Sequence, residues 1–289
     1  RIQDYSYRVC LSNDPDNRIY PSRPAHYDRN RYAPLLLSSD EKTLLELPFH
    51  HRWLTQSIEE MITTDHLFHG HALPGNKRSW NATNLIGTGK DYANANPAKR
   101  KEIEKKHMEH ALGLLYFLQN DSAVPQRVRQ IAGEWGLPED EFTNSNNLPP
   151  CLYVREARRF KGNYVYREQD CLKAEGINRA PIHDDAVSFT EFPLDSLPCS
   201  PDRVNGSLPD GQFFEKDKTL PGSLPWRCLR PLSIDNLLVP TAPSVSHCAW
   251  GTVRQTASLL QLAEVCGLAA ALAKHMKKSI AELPVDRLQ

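Results

Sequence analysis

The sequence is short of glycine, of net charge and of paired cysteines. Its 289 residues hold 14 glycines, and none of them form a G-x-G-x-x-G turn. The nearest approach, Gly87-Thr88-Gly89, has no apolar strand before it and no third glycine in register, so a dinucleotide fingerprint is excluded within these residues. Formal net charge is +0, which gives no bulk attraction to nucleic acid or anionic membrane, and neither is expected as a partner. The seven cysteines, Cys10, Cys151, Cys171, Cys199, Cys228, Cys248 and Cys266, are odd in number and never spaced C-x-x-C. That argues against a zinc ribbon or a disulfide framework and for buried free thiols. No leader peptide is visible and residue 1 is Arg, so the expectation is a soluble, processed or truncated piece, cytoplasmic or exported.

What is present is an ordinary globular composition, 40% hydrophobic and 24% charged. It is enough for one large domain or two modest ones. The 22 prolines outnumber the glycines, which favours fixed, irregular connections over flexible linkers.

The pattern along the chain is α+β. Tyrosines punctuate an extended opening through Leu36, and 40–47 reads as a short helix stopped by Pro48. The Gly-, Asn- and His-rich stretch 67–95 reads as a long loop. Asn96 and Pro97 then open a helix in which Ile103, Ala111, Leu114, Leu115 and Leu118 recur at helical spacing, with Glu102 and Lys106 on its wet face. A second helix over 125–135, closed at Gly136, completes a helical hairpin spanning about 96–136. Strands are expected between 152 and 192, at 164–166 and 184–192, and a short buried one at 237–239. A long helix over 252–276 and a short one capped by Ser279 close the chain. The longest uncharged run of the long helix, Val265 to Ala273, is too short for a bilayer, so a buried core helix is expected. Small residues at Gly267, Ala269 and Ala270 would let a backbone or a flat ligand come close.

Several segments carry chemistry in a recognisable order. They are Leu152-Tyr153-Val154-Arg155-Glu156-Ala157-Arg158-Arg159, then Leu224-Pro225-Trp226-Arg227-Cys228-Leu229-Arg230-Pro231. Asn236 to Pro240 and Ser244-Val245-Ser246-His247-Cys248-Ala249-Trp250-Gly251-Thr252-Val253-Arg254 follow. With Tyr7 to Leu11, Trp80-Asn81 and Gly113 to Leu118, they resemble a family of FAD-dependent oxidoreductases common in bacterial genomes. The resemblance implies a glutathione-reductase-like FAD fold whose G-x-G-x-x-G half lies outside these residues, leaving a fragment inactive by itself. It divides the chain into a substrate-side region, 1–223, and a segment, 224–289, that adds a strand and helix to a Rossmann-like FAD domain.

The same resemblance implies FAD as cofactor. His247 would be proton acceptor or substrate anchor, and Arg254 a stabiliser of reduced-flavin charge or a substrate clamp. Ser246, Gly251, Thr252, Val253 and Gly267 would line the flavin. Trp80, Asn81, Arg155 and Arg227 would face a polar or carbohydrate-like small molecule. Arg254, placed in the first turn of the long helix, would oppose the helix dipole and so call for a specific partner. The chain departs from the family at Gln255-Thr256-Ala257, where Met-Glu-Pro is common, and at Glu264. The apolar segment after residue 224, lacking its sheet, would self-associate.

Two alternatives stand beside this one. The first is a flavin-free interaction module derived from the same family. The second is a metal-dependent hydrolase or lyase using His66, His69 and His71, although these do not form the H-E-x-x-H pattern.

Overall fold

The computed structural model describes residues 2–37, 49–50, 68, 70–81, 83–202, 209–215 and 221–289. They fold as two compact units. One comprises Gln3–Arg155 with Pro198–Asp210, the other Arg1–Ile2, Glu156–Leu197 and Gly211–Gln289. Residues 156–197 therefore belong with the carboxy-terminal segment, whereas the sequence pattern places the boundary near residue 223. The expected helix at 40–47 lies outside the described residues, as do His66 and His69.

The amino-terminal unit is built on strands β1 (Val9–Ser12), β2 (Phe49–His50), β3 (Gly70–Leu73), β4 (Lys77–Trp80) and β5 (Asn84–Leu85). An antiparallel sheet runs in the order β1-β4-β3, and β2 pairs with β5. The stretch expected as a loop thus holds a hairpin. Its three-residue turn, Pro74-Gly75-Asn76, puts Gly75 (φ 73°) and Asn76 (φ 56°) in the left-handed region, which these residue types tolerate. A short helix α1 (Pro34–Leu37) precedes the helical pair α2 (Pro97–Asn120) and α3 (Gln126–Gly133). Asn96 caps α2 by accepting from Lys99 N at 2.9 Å, and Glu102 pairs with both Lys99 and Lys106 at 2.9 Å. Helix α3 ends at Gly133 with Glu134 at its cap, not at Gly136. The Gln119 amide donates to the carbonyls of Ala132 and Trp135 (3.0 and 2.8 Å), which ties the end of α2 to the end of α3.

The carboxy-terminal unit contains the pair β6 (Ala186–Thr190) and β9 (Gly222–Pro225), bulged between Ala186 and Ser188, and the pair β7 (Leu194–Ser196) and β8 (Phe213–Glu215). Val245, Ala249, Trp250, Val253, Leu262, Val265 and Ala269 meet Tyr166, Leu194, Leu224, Trp226 and Leu229 in its core. No strand forms at 237–239, and Leu237 is exposed. Residues 164–166 contribute one bridge, Tyr166 to Val245. Ser279 caps the closing turn through a reciprocal pair with Glu282.

The expected helix over 252–276 is two helices, α4 (His247–Val253) and α5 (Thr256–Met276). Ser246 starts α4 early by accepting from Ala249 N at 3.3 Å, and extended backbone at Gln255 (φ −67°, ψ 139°) breaks the helix before Thr256. Nor is α5 a buried core helix. Only Ser258, Leu262, Val265 and Ala269 are buried, while Leu260 and Leu268 are exposed. By length and composition α5 is apolar enough to cross a membrane, because Arg254 lies before its first turn.

The described cysteines are free. Burial pushes Cys171 and Cys228 up to about 12 and Cys266 to about 11, so these thiols stay protonated and inert. Cys151 is exposed, against the expectation of burial.

Candidate functional site

The sequence-nominated residues gather around α4. At its first residue, His247 turns Nδ1 toward both carboxylate oxygens of Glu156, each at 3.0 Å. Its Nε2 lies 3.3 Å from Ser196 Oγ at the end of β7. The Glu156 side chain is fully buried while that of His247 keeps 18% of its surface, so the imidazole can be reached and its partner cannot. Arg159 closes the group. It donates to Glu156 and, through Nε, to the Val245 carbonyl at 2.8 Å. Burial alone would raise the Glu156 carboxyl, but the hydrogen bond from His247 and the charge of Arg159 hold it below the usual range.

The remainder of α4 faces the unit's own core. Gly251 lies against β7: a Cβ there would fall 2.7 Å from the nitrogen and oxygen of Asp195. The glycine is therefore required by the approach of helix to strand. Thr252 is fully buried and its Oγ1 has no hydrogen-bond partner among the described residues, and Val253 is a core residue. Arg254 stands at the carboxy-terminal cap of α4. There a cation complements the dipole of α4, although it also stands one residue before the amino-terminal cap of α5, where a cation is unfavourable. It donates to Asp195 Oδ2 at 3.0 Å, while its buried Nε has no partner among the described residues.

The break after Arg254 opens a cleft of about 430 Å³ at the leading end of α5, lined by Phe189, Glu191, Phe192, Gln255, Ala257, Ser258 and Gln261. A second hollow of about 310 Å³ shares Phe189 and Gln261 with it and adds Glu264 and Leu268. Gly267 is exposed, with nothing within 4 Å of a Cβ placed there. His247 and Arg254 sit at opposite ends of α4, roughly 10 Å apart at the rise of an α-helix, and only Arg254 adjoins the cleft in sequence.

The residues nominated for substrate each have partners of their own. Trp80 is 1% exposed and packs edge-on against Phe68 at 5.3 Å. Asn81 accepts from Ser79 Oγ at 3.3 Å. Arg155 is buried and donates to the Asp4 carbonyl (2.9 Å) and Ser6 Oγ (3.0 Å). Arg227 donates to Asp185 and to His183 Nδ1 (3.0 Å), and lies 4.4 Å over the Tyr164 ring. Each is thus engaged by its own unit. The larger hollow of the amino-terminal unit, about 620 Å³, is lined by charges that pair with one another, Lys105 and His26 with Glu109 and Lys106 with Glu102. Of the histidines proposed as metal ligands, His71 is exposed on β3. Among the described residues no three His, Cys, Asp or Glu side chains converge to hold a metal.

The sequence pattern missed Glu156 as a partner of His247, and it missed Ser196, Phe189 and Phe192 altogether. Glu156 and His247 are ninety-one positions apart, beyond any spacing rule. Phe189 and Phe192 lay within a stretch recognised only as a strand.

The family model for FAD-dependent oxidoreductases matches residues 1–289. The chain belongs to the FAD-dependent oxidoreductase family. No curated protein and no solved structure matches it. The family implies FAD as cofactor, and the carboxy-terminal unit offers features that fit one. The cleft falls within the range of roughly 300–1,000 Å³ common for small-molecule pockets. Phe189 and Phe192, 52% and 37% exposed, present flat apolar faces, and Gln255, Gln261 and Ser258 supply polar edges. Arg254 brings an unspent buried donor to the same end of α4. Of the nominated flavin-lining residues, Gly251 and Val253 are taken up by packing within the unit, whereas Gly267 lies on the open face of α5.

Proposed function

We propose that the chain supplies the proton-handling and ring-binding side of a flavin-dependent oxidoreductase acting on a polar, carbohydrate-like small molecule. The observation that carries this reading is the cleft at the break between α4 and α5, with aromatic walls and with Gln255, Gln261 and Glu191 at its edge, next in sequence to the buried Arg254. When bound, FAD supplies the two-electron chemistry. Phe189 and Phe192 would hold its apolar face and Gln255 and Gln261 its polar groups, and Arg254, next to Gln255 in sequence, would offer a positive charge. His247, at the other end of α4 from Arg254, would serve as the proton acceptor for a substrate hydroxyl. The exposed apolar face of α5, with Leu260, Gly267 and Leu268, supports its packing against a Rossmann-like sheet or, lacking one, against a second copy of the chain.

The test is expression of the whole reading frame that encodes these residues. The expected protein is yellow as purified, and Phe189→Ala or Gln255→Ala lowers its flavin occupancy roughly tenfold, as loss of one stacking face or one polar contact would. Colourless protein that takes up no added FAD would sink the reading and leave the flavin-free module in its place.

A further inference from the structure

The environment of His247 has a consequence beyond the presence of a base. A carboxylate accepts hydrogen bonds and donates none, so the ring nitrogen that faces Glu156 must carry a hydrogen. That nitrogen is Nδ1, 3.0 Å from each carboxylate oxygen. A neutral imidazole has only one N–H, so Nε2 then holds the lone pair, 3.3 Å from Ser196 Oγ, whose hydroxyl also reaches the Leu197 carbonyl at 3.4 Å. We infer that Glu156 is the positioning residue of this site, setting His247 as the Nδ1–H tautomer so that Nε2 is the proton-accepting nitrogen. Three features make Glu156 suited to the task. Its side chain has no exposed surface, so water does not compete for it. Arg159 fixes the carboxylate from the far side and is itself anchored on the Val245 carbonyl, two residues before the imidazole. The whole group lies within one compact unit. Removing such an orienting carboxylate leaves the base in place but lets the wrong nitrogen take the proton.

The inference rests on the reading of His247 as proton acceptor, but its test does not need flavin or substrate. The probe is the ¹⁵N spectrum of the histidine-labelled 289-residue protein at mildly alkaline pH, with His247 assigned by its loss in His247→Asn. The expected result is a pyridine-like Nε2 and a pyrrole-like Nδ1 in the wild type, both retained in Glu156→Asp. In Glu156→Gln, whose amide can donate to Nδ1, the Nε2 resonance shifts toward the pyrrole-like position. Ser196→Ala keeps the wild-type pattern. A pyrrole-like Nε2 in the wild type, a Glu156→Gln spectrum without that shift, or a tautomer flipped by Ser196→Ala would each overturn the assignment. If Glu156→Gln does not fold, the wild-type and Ser196→Ala spectra still decide. Flavin absorbance is read separately on the whole reading frame. Absent colour with the expected tautomer would remove the oxidoreductase reading and leave the assignment of Glu156 standing.

Discussion

Helices α2 and α5 are the two long helices of the chain, and they use their sequences in opposite ways. Helix α2 carries lysines, one arginine and glutamates along its first half, yet it buries Ile103, His107, His110, Ala111, Gly113, Leu114, Leu115, Phe117 and Leu118. Helix α5 is by far the more apolar, yet it buries four residues and leaves Leu260 64% exposed. Composition therefore does not decide burial; a partner surface does. Helix α2 finds its partners within its own unit, in α3, Tyr5, Tyr27 and Tyr32. Helix α5 finds β6 and the closing turn at 280–282, and leaves Leu260 and Leu268 exposed.

The same contrast extends to acid behaviour, where the largest difference is expected. Burial holds His107 down to about 4 and His110 to about 3. Both are then neutral in the folded state at pH values where the unfolded chain, near 6.5, already binds their protons. Stability of the amino-terminal unit is therefore complete above that value and falls as pH drops from about 6.5 toward 4, by a few kcal/mol in order of magnitude. Glu156 behaves otherwise. Its folded value is depressed, so its contribution is present above the ordinary carboxylate range and is lost only as pH falls below it. Hydrogen exchange followed by region from pH 7 to pH 4 should show the protection of 97–133 weakening before that of 247–253. The reverse order would break the comparison.

Leu115 and Leu260 give the next sharpest pair. Leu115 has no exposed surface, and Leu115→Ala should cost about 2–5 kcal/mol in denaturant unfolding. Leu260→Ala should change stability by less than about 0.5 kcal/mol and should lower concentration-dependent association in sedimentation. Equal destabilisation by the two would mean that α5 is covered in solution. A smaller effect separates two glycines. Gly251→Ala forces a methyl against the Asp195 backbone and should lose roughly 1–3 kcal/mol. Gly267→Ala meets open space and should gain up to about 1 kcal/mol from helix propensity. In protein loaded with flavin, loss of cofactor from Gly267→Ala would instead place a ligand against that face.

Legibility in the sequence followed the range of the forces involved. Asn96 and Pro97 announced α2 because capping acts over three residues, and Glu102 with Lys106 because a salt bridge one turn apart needs only the helix itself. The Gly75-Asn76 turn was legible in principle, since two residues that tolerate positive φ mark a tight hairpin, but its strands are too short to announce themselves by alternation. The start of α4 was misplaced because the apolar pattern was read as one helix from 252, whereas Ser246 caps a separate short helix.

By itself the sequence determined the family, the α+β composition, and the caps of α2 and of the closing turn. These depend on residue identity and near neighbours. Only the tertiary structure decided that Glu156 faces His247, that Gly251 serves a strand and that Arg254 ends a helix. It alone showed what Trp80, Arg155 and Arg227 touch, and that Leu260 and Leu268 of α5 are exposed. Those outcomes turn on which surfaces meet across tens of residues, and a contact of that kind has no period or spacing in the chain from which it could be read.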